Sequence, residues 1–122
     1  MNNNFSIGPY NKILLLGGGQ LLRNLCIWAP SNQYSVSVVT SKRHGMEVVN
    51  DETLVSFLES HNISYLLTDN IETKEVENFI GDTQKTFCLS LGAAWIFQSE
   101  IIEKYFQNKL FNLHGARLPQ NR

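Results

Sequence analysis

Residues 12–26, Lys-Ile-Leu-Leu-Leu-Gly-Gly-Gly-Gln-Leu-Leu-Arg-Asn-Leu-Cys, decide the fold. Lys12 to Leu16 is a short continuous apolar run, the pattern of a parallel strand buried on both faces rather than one. Gly17-Gly18-Gly19 breaks it. Leu21, Leu22, Leu25 and Cys26 then recur at helical spacing and define one face of a helix that Pro30 is expected to terminate. Strand, glycine turn and helix are the opening of a βαβ unit.

The alternation continues along the chain. Tyr34 to Thr40 is rich in β-branched residues and reads as a second strand, with Ser41 to Gly45 as the loop at its carboxyl end. Asn50 or Asp51 is expected to cap a helix whose buried stripe is Leu54, Val55 and Leu58. Ser64 to Thr68 gives a third strand. Asn70 is the next capping candidate, ahead of Val76, Phe79 and Ile80, and Gly81 stands where a helix end wants a residue at ease with positive φ. Thr86 to Ser90 is a fourth strand, Leu91 to Ala94 a small-residue turn, and Ile101, Ile102, Tyr105 and Phe106 the core face of a last helix. A fifth strand starts at Leu110. Five strands alternating with four helices predict an α/β fold: a three-layer, Rossmann-like open sheet, mostly parallel, with helices on both faces. Residues 1–122 read as a single domain, without internal repeat or linker.

Bulk properties exclude little but do exclude something. A net charge of −1 and a pI near 6.3 give no broad attraction for nucleic acid. Cys26 and Cys88 lack metal or redox spacing and read as buried thiols, and His44 and His61 have no partners at ligand spacing, so no metal is assigned. No basic segment precedes an apolar run at the N-terminus, and Gln20, Arg23 and Asn24 interrupt the most hydrophobic stretch, which points to a cytoplasmic protein without a membrane span.

The chemistry concentrates in Leu110 to Arg122, LFNLHGARLPQNR. On a strand of period two, Asn112 and His114 share one face and Phe111 and Leu113 the other, so an amide and an imidazole project side by side. Gly115 releases the backbone, and Leu118-Pro119 continues extended. The polar pair thus falls at the carboxyl end of a strand, the side where open α/β sheets bind ligands. Asn112-x-His114, Leu118-Pro119 and Arg122 in this register resemble the Asn-x-His-x-x-x-Leu-Pro-x-x-Arg signature of the formyltransferases that use 10-formyltetrahydrofolate, a family that includes methionyl-tRNA, glycinamide-ribonucleotide and sugar N-formyltransferases. The stretch from Thr86 into this motif is similar to the family's too. The chain has Gly115-Ala116 where many members have Pro-Ser, and Arg117 where leucine is common.

The resemblance implies Asn112 and His114 as catalytic residues, and a formyl donor, 10-formyltetrahydrofolate, held near Trp95, Phe97, Leu118, Pro119 and Arg122. On composition alone Trp95 and Phe97 serve equally as core residues under their loop. Gly17, Gly18 and Gly19 at a helix N-terminus, with Lys42 and Arg43, are candidates to hold the phosphates of an acceptor; a tight turn and a solvated loop are the competing readings. Leu22 occupies the third position of a G-x-G-x-x-G dinucleotide fingerprint, so that motif is incomplete. The family's catalytic aspartate follows its motif, whereas no aspartate follows Asp82 here. The expectation is therefore the N-terminal part of an N-formyltransferase, truncated at its C-terminal end and inactive alone, with the amine of a nucleotide-linked amino sugar as acceptor. A methionyl-tRNA formyltransferase-like enzyme and a non-catalytic nucleotide- or NADP-binding module are the alternatives, and association with further copies is a third role for the exposed apolar surface.

Overall fold

A computed structural model describes residues 10–92, 99–106 and 110–113. Its centre is a five-stranded parallel sheet in the order β5-β2-β1-β6-β7, built from β1 (Lys12–Gly17), β2 (Ser35–Thr40), β5 (Ser64–Leu67), β6 (Thr86–Leu91) and β7 (Leu110–Leu113). The apolar run of β1 explains its central position. Leu14, Leu15 and Leu16 are each at most 1% exposed, because β2 and β6 flank β1 and helices cover both faces.

Two clusters separate those faces. Ile13, Leu15 and Val38 pack with Leu22, Cys26 and Ala29 of α1 (Gln20–Ser31) and Leu54, Phe57 and Leu58 of α3 (Leu54–Ser60). Leu14, Leu16, Val39 and Cys88 pack with Val76 and Ile80 of α4 (Lys74–Ile80) and Tyr105 and Phe106 of α5 (Ser99–Phe106). The helices after β1 and β2 thus lie on one face and those after β5 and β6 on the other. The chain reverses direction across the sheet between β1 and β6, and the helices that follow these neighbours, α1 and α5, lie on opposite faces, which opens a crevice at the carboxyl ends of the two strands.

Several local expectations are corrected. Ser41 to Gly45 is not a plain loop: residues Lys42–Gly45 form the short helix α2, and the Ser41 hydroxyl caps it by accepting the His44 N–H at 3.2 Å. Asn50 and Asp51 cap nothing. With φ of 57° and 67° they form the two-residue turn of a hairpin, β3 (Val48–Val49) against β4 (Glu52–Thr53), where tight reversal requires left-handed backbone and Asn and Asp tolerate it. Thr53 caps α3 instead, and Thr73 rather than Asn70 caps α4, each through its hydroxyl. Pro30 lies within the last turn of α1, one residue before its end. Gly81 follows α4 with φ 65°, as its position predicts.

The buried stripe of α1 differs from the leucine pattern as well. Leu21 is 46% exposed, and the stripe is Leu22, Arg23, Cys26 and Ala29. Arg23 is 5% exposed because its guanidinium donates to the carbonyls of Glu47 at 3.1 Å and Val49 at 3.3 Å, fastening the hairpin to α1 while resting over the Phe57 ring.

Candidate functional site

The crevice at the carboxyl ends of β1, β6 and β7 is a cleft of about 220 Å³ lined by Gly18, Gly19, Gln20, Leu21, Leu91, Gly92 and Leu113. Its walls follow from the glycine turn. Gly17 (φ 124°) and Gly19 (φ 95°) take conformations that L side chains resist, which swings the chain from the end of β1 into α1. Gly17 is buried behind the cleft, its carbonyl accepting the Thr40 hydroxyl at 2.7 Å. Gly19 occupies the N-cap position of α1, where no side chain caps the helix and no acidic residue stands in the first turn. That leaves first-turn N–H groups and the positive end of the helix dipole near the cleft.

The loops after β1 and β6 are tied by residues that sequence spacing does not connect. The Gly18 N–H donates to the Leu91 carbonyl at 3.2 Å. His44 donates through Nε2 to the Gly92 carbonyl at 2.9 Å, a contact that fixes the proton on Nε2 because a carbonyl only accepts. Its ring lies so close to Gly18 that an added β-carbon there would meet His44 atoms at 2.7–2.8 Å. Nδ1 is buried without a hydrogen bond, and the Glu47 carboxylate lies 3.7 Å away. His44 is therefore the bolt between the β1 and β6 loops, a role invisible in sequence because its partners sit 26 positions before and 48 after it.

Asn112 is exposed on β7, one residue before Leu113. It does not line the cleft. It shares the opposite face of the sheet with its register neighbour Ser90, while Leu113 pairs with Leu91 on the cleft face. The end of β7 thus presents leucine to one side and a carboxamide to the other. Lys42 and Arg43 are exposed on α2 at the carboxyl end of β2, with the Lys42 N–H bonded to Asp69 at 3.0 Å, and neither lines the cleft. Trp95, Phe97, His114, Leu118, Pro119 and Arg122 lie outside the described residues.

Among the described residues no group of three or more His, Cys, Asp or Glu side chains converges as a metal site, and no helix is long and apolar enough to cross a membrane. Cys26 is inert by environment: burial on the sheet-facing side of α1 pushes its thiol up to about 12, far from the thiolate a nucleophile needs. A scan of protein-family models finds none that matches this chain, and no curated protein matches it.

Proposed function

We propose that this chain carries the formyl-transfer site of a 10-formyltetrahydrofolate-dependent N-formyltransferase that acts in the cytoplasm on the amine of a nucleotide-linked amino sugar. The observation that carries this reading is the Asn112-x-His114, Leu118-Pro119, Arg122 register beginning on the fifth strand of a parallel sheet, at the end where the crevice opens. As the acceptor nitrogen bonds to the formyl carbon, negative charge grows on the formyl oxygen. An amide N–H from Asn112 meets that charge. The bond from the formyl carbon to the donor nitrogen then breaks, and His114 carries the proton from the acceptor amine to that leaving nitrogen.

The polar chemistry beside β7 suits a carbonyl: an exposed carboxamide at Asn112 adjoins a buried hydroxyl, that of Ser90, without a partner among the described residues. The acceptor's amine must reach the formyl carbon on the Asn112 side of the strand, and its phosphates are assigned to the carboxyl end of the sheet, to the uncapped start of α1 and to Lys42 and Arg43. The near-neutral charge supports a small acceptor over a tRNA. A second reading, a nucleotide-binding module without catalysis, draws on the same Lys42 and Arg43, and titration with NADP separates the two.

The test is calorimetry with 10-formyl-5,8-dideazafolate, a stable analogue of the donor. Saturable binding at one site, weakened by Asn112→Ala, supports the reading. A folded chain that takes up none at millimolar concentration overturns it.

A further inference from the structure

Ser90 is the odd residue at the carboxyl end of β6. It is 1% exposed, and among the described residues its hydroxyl has no hydrogen-bond partner, a state that folded proteins avoid because a buried unpaired polar group has lost its water without compensation. Its place in the sheet says what it faces. In the parallel ladder Ser90 lies in register with Leu16 on one side and Asn112 on the other, and side chains in register project to the same face. Leu16 is apolar and 0% exposed, so it offers the hydroxyl nothing. Asn112 is exposed and carries both an amide N–H pair and a carbonyl oxygen.

An asparagine that donates to a growing negative charge has one weakness. Its carboxamide turns freely about its last torsion, and the wrong orientation presents oxygen instead of N–H. A donor on the neighbouring strand that holds Oδ1 removes this ambiguity. We propose that Ser90 is a positioning residue for Asn112: when a formyl group is bound, the Ser90 hydroxyl donates to Asn112 Oδ1 and turns Nδ2–H toward the formyl oxygen. This rests on the formyl-transfer reading above and extends it to a residue that touches neither reactant. Catalytic hydrogen bonds of this kind tighten in the loaded site.

The test uses the whole chain and two probes, 10-formyl-5,8-dideazafolate and 5,8-dideazafolate without the formyl group, in calorimetry on wild type, Ser90→Ala and Ser90→Thr. Wild type prefers the formylated probe. Ser90→Ala loses roughly tenfold in affinity for that probe alone, the equivalent of one hydrogen bond of ordinary strength, and Ser90→Thr, which keeps the hydroxyl, restores the preference. The thermal midpoint of Ser90→Ala stays level or rises, because the substitution removes an unpaired group. A Ser90→Ala protein that retains the full preference overturns the positioning role while leaving the formyl-transfer reading intact. Wild type that binds neither probe overturns both.

Discussion

Replacing Gly18 with alanine isolates the contact that holds the cleft together. The new β-carbon would sit 2.7 Å from His44 Nδ1 and 2.8 Å from both Cβ and Cγ, all under the closest approach that carbon tolerates. Because one of the clashing atoms is the His44 β-carbon, rotating the ring does not relieve the overlap, and α2 or the glycine turn must shift. Overpacking of this kind costs about 1–3 kcal/mol. Losing the Nε2 bond to Gly92 as the ring moves adds about 1 kcal/mol, so Gly18→Ala is expected to destabilise by about 2–4 kcal/mol. His44→Ala alone forfeits the hydrogen bond and some packing, about 1–2 kcal/mol. In the double variant the overlaps with Nδ1 and Cγ are gone and only the contact with the β-carbon of residue 44 remains, so the sum of the single effects, which counts the Gly92 hydrogen bond twice, overshoots the measured loss by about 1–2 kcal/mol. Urea unfolding followed by tryptophan fluorescence gives all four corners of this cycle. Additivity within about 0.5 kcal/mol would refute the bolt, since it would mean that the two residues do not meet.

The remaining expectations concern the supports of the site. Arg23→Ala removes the donors to the Glu47 and Val49 carbonyls and strips a side chain from under the hairpin, for a loss of about 2–4 kcal/mol in the same assay; a loss below about 0.5 kcal/mol would remove the hairpin's anchor. Thr73→Ala costs about 1 kcal/mol through its cap on α4 and more than Asn70→Ala, with the reverse order counting against the cap assignment. The Cys26 thiol, raised from 9.0 to about 12 in the folded chain, ionises first in the unfolded one; its contribution is intact below pH 9 and declines by about 1.4 kcal/mol per pH unit above it, while a thiol reagent at pH 8 labels Cys26 only on unfolding. Rapid labelling of the native chain at Cys26 contradicts its burial.

How much of this was legible in sequence depends on what each pattern measures. That β1 is buried on both faces could be read from Ile13 to Leu16, because such burial leaves no polar residue in the run. The hairpin could not, since strands of two residues are too short to show an alternation, and Asn50-Asp51 signals a cap and a turn with the same residue types. Arg23 reads as solvent-facing by charge, yet its three-carbon stem and five donors let it be buried once the carbonyls of a distant hairpin arrive. Leu21 fails in the opposite sense. It is apolar and expected on the core face of α1, but it stands at the start of the helix where the wall of a cleft begins. The tie from His44 to Gly92 spans 48 positions, and no local spacing encodes it. The register of Asn112 beside Ser90 was half legible: the faces of β7 follow from period two, but its neighbour strand becomes known only with the sheet order.

The side-chain amide of Asn112 reports on the central claim most directly. In a 15N-labelled chain, its NH2 pair, assigned by its loss in Asn112→Asp, is predicted to shift downfield when 10-formyl-5,8-dideazafolate binds and to stay in place with the formyl-free compound. Binding of the formylated probe that leaves this pair unmoved, or no binding at all by the folded protein, contradicts the assignment of Asn112 to the formyl oxygen.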